Sequence, residues 1–370
     1  MKKVKILMVL GNTGRGGSQS YAMNILRNIH RDRYHIDFVV YTNPEEGYGS
    51  EMEAFGSKIF IVPQFKGYNY FICKDAWERL LNSEKYDIIH GHASNAAFIY
   101  LKVAKNKGCK TILHSHSAGF RGERMEQIVK KFFSNRGKKY ADYWFSCSEK
   151  ASEKLYGIEY KSFSNYYLLP NAINVERYKF NSIVRNEIRE KIGIDNSVFL
   201  CGHVGSFSMP KNHKLLLEIF CEFKRRKPNS KLMLCGEGPL EETVLTLINK
   251  YNLKEEVILT GNIPNVCDYM MAMDVLIFPS LFEGLPVTVV EAQATGLPVV
   301  MSDVITNEVK LTDIVKTCSL HDSIDKWVDC VDGFGCIDRE SYNRIIQSSR
   351  FNMVESIKDL EDIYEKIVNE

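Results

Sequence analysis

The sequence predicts an α/β protein with two doubly wound, Rossmann-like domains. Strand-like apolar runs alternate with amphipathic, helix-like segments along the chain, which is typical of parallel sheets covered by helices on both faces. A polar, irregular stretch over 157–195 interrupts this alternation, which restarts at Ser197. The length of 370 residues is enough for two domains of ordinary size. We therefore expect a first domain over 1–178 and a second over 179–352, facing each other across a central cleft.

The strand-like runs can be placed along the chain in order. In the first half they lie near 4–10, 36–41, 58–62, 86–90, 110–115, 143–147 and 166–169. In the second half they lie near 197–204, 231–235, 256–260, 274–279 and 298–301. Ligands of such sheets bind at the carboxyl ends of the strands. The last segment, about 353–370, has apolar residues at helical spacing and predicts a C-terminal helix.

Composition narrows the classes of protein to consider. The net charge of +2 gives no sign of nucleic-acid binding, and 45% hydrophobic residues allow a substantial core. The ten cysteines show neither a C-x-x-C pair nor a metal-ligand spacing, which indicates reduced thiols of a cytosolic protein. The apolar run over 6–10 is too short for a signal peptide, and no segment approaches the roughly 18 apolar residues that span a bilayer. We therefore expect a cytoplasmic protein.

A glycine-rich loop, Gly11-Asn12-Thr13-Gly14-Arg15-Gly16-Gly17-Ser18, follows the first strand and precedes a helix. A P-loop would need lysine where Gly17 stands, and a dinucleotide fingerprint starting at Gly14 would need glycine where Gln19 stands. The loop therefore favours neither an ATPase nor a dehydrogenase. Its adjacent glycines predict a close approach of the backbone to a ligand, the alternative being a plain strand–helix turn.

The most informative stretch of the chain covers 275–295. An apolar strand ends at Pro279, a short loop carries Glu283, and a helix starts near Pro286. Glu291 lies one to two turns into that helix. Backbone N–H groups at a helix N-terminus bind phosphate, and carboxylates on either side accept hydrogen bonds from sugar hydroxyls. This arrangement predicts a nucleotide-sugar site.

At these residues the chain resembles a known family. Glu283 and Glu291, within EGLP and EAQATGLPVV, match the E-x7-E signature of retaining GT-B glycosyltransferases of family 4, the glycosyl transferases group 1. The resemblance covers nearly the whole chain, is most specific over 197–302, and is closest to bacterial capsular and exopolysaccharide enzymes. It implies the GT-B fold, with the helix at 353–370 packing back on the first domain. No D-x-D motif occurs in the sequence, which argues against the metal-dependent GT-A alternative.

The resemblance also implies an activity and roles for particular residues. The activity is retaining, metal-independent transfer of a hexosyl or N-acetylhexosaminyl group from a nucleotide-sugar, expected to be a UDP-sugar, without a cofactor. Glu291 would hold the ribose hydroxyls, Glu283 would contact the donor sugar, and Lys211 would bind the diphosphate with backbone amides from Gly284 onward. His116 would orient the sugar or the β-phosphate, so that Glu283, His116 and Lys211 are the expected catalytic residues. The other donor-binding positions it implies are Gly16, Gly17, Ser206, Gly236, Ile263, Leu285 and Val287.

Two readings of the first domain's histidines stay open. Leu113-His114-Ser115-His116 ends a strand, and by register His116 is similar to the family's histidine near the transferred sugar. The alternative is that the strand-end histidines are structural. His90 and His92, at the end of another strand, would line the acceptor side or pack.

Ser206 departs from the family pattern. The family carries an arginine just after the second glycine of Gly202-His203-Val204-Gly205 and a lysine five residues further on. Lys211 matches the lysine, whereas Ser206 stands at the arginine position. A charged hydrogen bond contributes about 1.5–3 kcal/mol, so the loss costs roughly tenfold to a hundredfold in affinity or rate unless Arg15 compensates. The alternative function is a weak or inactive GT-B protein that stabilises a partner; a GT-B nucleotide-sugar 2-epimerase would lack the EGLP…E pattern.

The segment 121–139 is basic and carries apolar residues at helical spacing. Such a helix binds the surface of an anionic membrane, and the alternative is a core-packed helix with a basic outer face. Many members of the family glycosylate lipid-linked acceptors. The resemblance therefore implies a saccharide or lipid-linked saccharide acceptor in cell-surface polysaccharide synthesis, and a location at the inner face of the membrane.

Overall fold

The computed structural model describes residues 3–14, 16–44, 47–116, 132–133 and 135–370. The chain divides into two compact units, 1–172 together with 353–370, and 173–352. Each unit is a Rossmann-like α/β domain with its own parallel sheet, which confirms the predicted fold class.

The described residues form one parallel sheet in each unit. The first has the order β3-β2-β1-β4-β5-β6-β7, and the second has the order β10-β9-β8-β11-β12-β13. In both, the order reverses beside the unit's first strand. The strands β1 to β13 are Val4–Val9, Tyr34–Val40, Ile59–Ile61, Ile88–Gly91, Lys110–Ser115, Tyr143–Ser146, Tyr166–Leu168, Phe199–Val204, Ser230–Cys235, Val257–Gly261, Val275–Phe278, Val299–Ser302 and Val315–Cys318.

Helices and short 3-10 turns connect these strands. The α-helices of the described residues, α1 to α13, are Gly17–Asn28, Gly49–Ala54, Tyr70–Ser83, Ala97–Asn106, Glu149–Tyr156, Ser182–Lys191, His213–Arg226, Glu241–Lys250, Val266–Ala272, Val287–Ala294, Ile324–Asp332, Arg339–Gln347 and Met353–Asn369. The 3-10 turns are Ser94–Ala96, Lys138–Tyr140, Ile158–Ser162, Val175–Tyr178, Met209–Lys211 and Asn307–Val309. Within the described residues, every helix falls short of the length and hydrophobicity that a bilayer-spanning helix needs.

Each sheet is buried on both faces, which explains the continuous apolar runs in the sequence. In β1, Ile6 and Met8 belong to the core on one face, whereas Leu7 and Val9 belong to the core on the other. Successive residues of a strand point to opposite faces, so a strand covered on both sides needs apolar residues at every position.

The last helix completes the first unit's core. The side chains of Ile357, Leu360 and Ile367 on α13 pack in the same cluster as those of β1, β2 and α1. Residues 173–178 fall in the second unit, although we expected the first domain to extend to residue 178. The side chains of Ile173 and Val175 pack in the second unit's core, and this packing explains why residues 173–178 belong to that unit.

The edge strand β13 has no counterpart among the predicted strands. It is only four residues long, and two of them, Lys316 and Thr317, are polar and at least partly exposed, so its apolar pattern is weak. The predicted basic segment 121–139 lies for the most part outside the described residues, and so does Arg15.

Candidate active site

The second unit's sheet positions a candidate site where its strand order reverses, between β8 and β11. Ligands of doubly wound sheets bind outside the carboxyl ends of strands at such a point. The loops that follow these two strands are bonded to each other. Leu281 N donates to Pro210 O at 2.8 Å, and Asn212 Nδ2 donates to Pro279 O at 3.2 Å. The two loops therefore form one surface at this edge of the sheet.

Lys211 and Glu283 form an ion pair on this surface. Lys211 Nζ lies 2.7 Å from Glu283 Oε1, and the two side chains are 15% and 16% exposed. The ammonium also lies 4.5 Å from the centre of the Phe278 ring, a cation–π contact. An ammonium has three N–H donors, so the bond to Glu283 leaves two for an anion.

Two glycines shape this surface, Gly205 beside the lysine side chain and Gly236 between two loops. A Cβ on Gly205 would lie 2.8 Å from Lys211 Cε, which is closer than carbon atoms approach without a shift. A Cβ on Gly236 would lie 2.2 Å from Gly205 O, and Gly236 has a φ of +145°. Gly236 therefore lets the loop after β9 pack directly on the loop after β8, which is a structural reason for glycine at this predicted position.

Ser206 leaves a neutral group at the exposed tip of the β8 loop. Its Oγ lies 2.9 Å from Ser208 Oγ, so the two hydroxyls share a hydrogen bond. Lys211 follows within the same loop, on the 3-10 turn that Asn212 ends in the left-handed conformation, with φ 54°. The positive charge of this loop is thus carried at Lys211 and not at position 206.

Glu291 is the fifth residue of α10 and is half-buried. Its Oε1 accepts a hydrogen bond from the hydroxyl of Tyr178 at 2.8 Å. Burial raises the pKa of the Glu291 carboxyl above its ordinary value, while the bond from Tyr178 and the charge of Arg177 act in the opposite direction. The carboxyl is therefore set among polar groups, and its second oxygen can accept from a ligand.

Helix α10 is fixed in place by a buried amide. Gln293 Nε2 donates to Val309 O at 2.7 Å, and Gln293 Oε1 accepts from Leu311 N at 2.9 Å and Thr312 N at 3.0 Å. Because buried polar groups require such partners, this network holds the helix in one orientation. The N-terminus of α10 and Glu291 are therefore positioned before a ligand binds.

The remaining predicted positions of the second unit lie at the same edge of the sheet. Pro286 caps α10 and Val287 begins it, whereas Gly284 and Leu285 belong to the loop before it. Leu285, Val287 and Ile263 are partly buried against the second unit's core, so their side chains anchor the backbone. Their main-chain groups remain the parts suited to contact a ligand.

The structure brings further residues, distant in the sequence, to this surface. Tyr178 stands 113 residues before its partner Glu291, in the polar, irregular stretch 157–195, and no local signal points to it. His203, at the end of β8, is fully buried with Nδ1 at 2.9 Å from Ile277 O. Burial and the nearby Lys211 lower the pKa of His213 to about 4, so this neighbour stays neutral beside the lysine. In the sequence, the position of His203 near the carboxyl end of a predicted strand could have indicated that it lies close to the site.

In the first unit, His116 lies in a cluster of four imidazoles at the carboxyl ends of β4 and β5. We define the histidine cluster as His90, His92, His114 and His116. His116 Nε2 lies 2.7 Å from His92 Nδ1, and burial lowers the pKa of His116 to about 3. His90 and His114 are fully buried and lie 3.1 Å apart between Nε2 and Nδ1, whereas His116 is half-buried. His116 is thus the more accessible of the two histidines on β5 and its end.

Gly16 and Gly17 begin the first unit's α1. Gly16 is the N-cap residue, and its carbonyl accepts from Ser20 N at 2.8 Å. A Cβ on Gly16 would lie 2.6 Å from Gln19 Oε1, the far end of a flexible side chain, so a small shift of Gln19 would relieve the contact. No geometry within this unit assigns these glycines to a ligand among the described residues.

Two family models match the chain. The model described as Glycosyltransferase Family 4 matches residues 15–177, and the model described as Glycosyl transferases group 1 matches residues 184–322. The two matched segments follow one another and include the predicted positions of both units.

Two proteins that are similar in sequence and one solved structure that is similar in fold are described here. The chain is 29% identical over 337 residues to a protein of Bacillus subtilis (strain 168) assigned as glycosyltransferase EpsF, covering 88% of this chain and 86% of that protein. It is 25% identical over 309 residues to UDP-Gal:alpha-D-GlcNAc-diphosphoundecaprenol alpha-1,3-galactosyltransferase of Escherichia coli, covering 79% of this chain and 78% of that one. The structure of Anabaena Alr3699/HepE in complex with UDP has a TM-score of 0.79 at 15% identity, covers 99% and 100% of the two chains, and shares the fold.

Proposed function

We propose that the chain, which matches glycosyltransferase family models over residues 15–177 and 184–322, is a GT-B glycosyltransferase of family 4 that transfers a hexosyl or N-acetylhexosaminyl group from a UDP-sugar to a lipid-linked saccharide. The transfer retains the configuration of the anomeric carbon, needs no metal, and serves cell-surface polysaccharide synthesis. One observation carries the proposal: the pair of Lys211 and Glu283 sits where the strand order reverses, directly before the helix that carries Glu291.

The second unit supplies groups for each part of the donor. Lys211 gives its two remaining N–H donors to the diphosphate, together with amides from Gly284 to the start of α10. Glu291 accepts from the ribose hydroxyls through the oxygen that Tyr178 leaves available. Glu283, held at 2.7 Å from Lys211, faces the sugar beside the diphosphate. The backbone near Ile263 and Gly236 contacts the base and the nucleotide.

The chemistry is a displacement at the anomeric carbon. The bond from this carbon to the β-phosphate oxygen breaks, and the bonding electrons leave with the UDP. Lys211 stabilises the negative charge that grows on that oxygen, and positioned cations and amides in partly buried sites are efficient at this. The acceptor hydroxyl attacks from the leaving-group side and gives its proton to the departing phosphate, so the configuration is retained. His116 orients the sugar or the β-phosphate as a neutral imidazole.

The choice of UDP rests on what similar proteins bind. The Anabaena structure contains UDP, and the Escherichia coli enzyme uses UDP-Gal. A donor screen with UDP-, GDP- and dTDP-sugars, read by mass spectrometry with and without diphosphoundecaprenol-linked saccharides, tests the proposal. We expect release of UDP that depends on both a UDP-sugar and the lipid-linked acceptor. Turnover with a different nucleotide, or with no lipid-linked acceptor, would refute the corresponding part.

A surface of the first unit supports contact with a membrane. A cavity of about 400 Å³ is lined by aromatic rings and by the cations Lys102, Arg136 and Lys139. Beside it, Tyr68 and Phe71 are 83% and 76% exposed. Aromatic and basic side chains together bind the surface of anionic membranes, where lipid-linked acceptors reside.

Co-sedimentation with vesicles containing anionic phospholipid tests this contact. We expect the bound fraction to fall when Lys102, Arg136 and Lys139 are changed to glutamine. The matched control changes three exposed lysines of the second unit, Lys179, Lys250 and Lys254, to glutamine and should keep the bound fraction. Equal losses of the bound fraction in the two triple variants would show that the vesicles respond only to net charge. The cavity would then have no part in membrane contact.

A second function is favoured by Ser206 alone. The neutral hydroxyl at the loop tip leaves the diphosphate with one fixed cation less than the family pattern provides. A weakly active or inactive protein that stabilises a partner enzyme would tolerate this loss. An inactive protein of this kind would release no UDP in the donor screen with any acceptor, and a weakly active one would release it slowly.

A further inference from the structure

We propose that the histidine cluster of the first unit binds a divalent transition-metal ion, with Zn²⁺ as the representative ion and His90, His92 and His114 as ligands. The three proposed ligands exclude His116, the member of the cluster to which the proposed function gives a role, although His116 Nε2 lies 2.7 Å from His92 Nδ1. The proposal does not require the proposed function and stands or falls by metal binding itself.

The distances between the rings are compatible with a shared ion. One nitrogen from each of His90, His92 and His114 lies within 4.8 Å of the others. Nitrogen ligands at 2.0–2.1 Å around a tetrahedral zinc ion are roughly 3.3 Å apart. His90 Nε2 and His114 Nδ1 are already 3.1 Å apart, and the ring of His92, stacked on His90 with centroids 4.3 Å apart, must turn to bring a nitrogen to the same point.

The hydrogen-bond pattern leaves lone pairs without a partner. Among the described residues, His92 Nε2, His114 Nε2 and His116 Nδ1 are buried and unpartnered. A neutral imidazole carries one N–H and one lone pair. In the pair of His92 and His116, joined at 2.7 Å, one outer nitrogen therefore carries a lone pair whichever ring donates. Buried polar atoms without partners are costly, and a metal ion bound by His92 Nε2 would satisfy one of them.

The surroundings supply the outer support that metal-bound histidines need. The Tyr364 hydroxyl lies 2.7 Å from His90 Nδ1, so when His90 donates this bond its Nε2 carries a lone pair, and the ion would replace the contact of that nitrogen with His114 Nδ1. Such a bond to the second ring nitrogen is the usual support of a histidine ligand. Tyr21 and Phe145 pack against the rings of His114, at 5.0 and 5.7 Å between centroids, and restrict their rotation.

The ligand chemistry defines the class of ion. Imidazole nitrogens suit Zn²⁺, Ni²⁺ and Cu²⁺, whereas Mg²⁺ and Ca²⁺ require oxygen ligands. The three proposed ligands include no carboxylate. The site should therefore discriminate sharply against Mg²⁺ and Ca²⁺.

Titration of the metal-free, full-length protein with Zn²⁺ in a calorimeter tests the proposal. We expect one site, and we expect His92→Asn and His114→Asn each to weaken Zn²⁺ binding by about 100-fold or more, because they remove a direct ligand. Tyr364→Phe should weaken binding by about 10- to 100-fold, as loss of outer support does. His321→Asn, at an exposed histidine of the second unit, is the matched control and should bind as the wild type does.

Two further measurements keep the result decisive. Circular dichroism of each variant shows that it is folded, so that lost binding is not lost structure. The absorption of bound Co²⁺ distinguishes nitrogen ligands from thiolates, which matters because the chain has ten cysteines. Absence of Zn²⁺ binding to the wild type, thiolate bands with Co²⁺, or equal affinity in folded His92→Asn and His321→Asn proteins would each overturn the proposal.

Discussion

Lys211 and Glu283 form an ion pair that joins the two loops of the candidate site. A bound anion would have to share the lysine with Glu283. Exposed ion pairs contribute about 0.2–1 kcal/mol, so this partly buried pair adds little net stability and mainly fixes the two side chains. The lysine is held at 2.7 Å from the carboxylate and rests on the Phe278 ring. A donor diphosphate therefore meets an ammonium that is already positioned.

Gly205→Ala tests whether the position of this ammonium matters. The new Cβ would lie 2.8 Å from Lys211 Cε, so the lysine side chain must shift from its present position. We expect UDP affinity to fall about tenfold, within the range of a lost charged hydrogen bond, with an unchanged circular dichroism spectrum. Gly335→Ala is the control, since a Cβ there meets nothing within 4 Å. Unchanged UDP affinity, measured by calorimetry, would mean that Lys211 is not used for the diphosphate.

Glu291→Gln should separate nucleotide affinity from stability. Burial raises the pKa of Glu291 in the folded chain, so ionisation costs stability above that pKa and nothing below the ordinary carboxyl value. We expect the variant to melt at the same or a higher temperature at pH 8, and the difference to disappear in acid. UDP affinity at pH 8 should fall about 10- to 100-fold, because a charged acceptor for the ribose is lost.

The pH dependence of binding gives a second readout for Glu291. Affinity of the wild type for a UDP-sugar, whose diphosphate charge stays constant, should weaken as pH falls through the raised pKa of Glu291. Glu291→Gln should flatten this dependence, whereas Glu255→Gln on the exposed surface should retain it. A parallel pH profile in Glu291→Gln and the wild type would exclude this carboxyl as the group responsible.

Ser206→Arg should restore the missing cation. The side chain at this position is exposed, so an arginine fits without repacking, and it adds a charged donor beside Lys211. We expect donor affinity or turnover to rise about tenfold to a hundredfold, and the gain to shrink with added salt. Asn249→Arg, on the exposed face of α8, adds the same charge elsewhere and should change neither. A wild type without binding, together with a binding Ser206→Arg variant, would favour the partner-stabilising function.

At the scale of elements, α13 shows how a helix far along the chain completes the first unit. Its apolar face, with Ile357, Leu360 and Ile367, lies in the core of that unit. Tyr34 donates from its hydroxyl to Glu361 O at 3.1 Å, and Tyr364 bonds to His90. The helix is therefore linked both to the sheet and to the histidine cluster.

Leu360→Ala tests the contribution of α13 to stability. Leu360 is 1% exposed, and removal of a buried leucine side chain costs about 2–5 kcal/mol through lost burial and a cavity. Val354→Ala, at a position that is 71% exposed on the same helix, should cost less than about 0.5 kcal/mol. Urea denaturation of the two variants measures both effects. Similar losses would mean that α13 does not pack as described.

At the scale of the whole molecule, each unit has its own sheet and its own core, so ligand effects can be assigned to a unit. Hydrogen exchange with and without UDP should show protection of amides over 205–212 and 284–291. Amides of α11, Ile324–Asp332, follow the edge strand β13, which lies two places from β11 in the sheet order, and should exchange unchanged. Protection confined to segments outside 205–212 and 284–291 would place the nucleotide elsewhere.

Much of this molecule could be predicted because its local patterns are strong. Strands covered on both faces need unbroken apolar runs, so β1, β8 and β11 stand out in the sequence. Proline and glycine mark the ends of the loop before α10, which places Glu283 and Glu291. The short edge strand β13 was not predicted, because exposed edge positions tolerate the polar residues Lys316 and Thr317 and these weaken the apolar pattern.

The sequence by itself determined the α/β class, the two Rossmann-like sheets and the order of the charged residues along the second unit. Only the tertiary structure decided which of these residues meet. Lys211 and Glu283 are 72 positions apart, Tyr178 and Glu291 are 113 apart, and His90 and His114 are 24 apart. Periodicity and turn chemistry act over a few residues, whereas these contacts arise because a parallel sheet brings the carboxyl ends of distant strands to one edge.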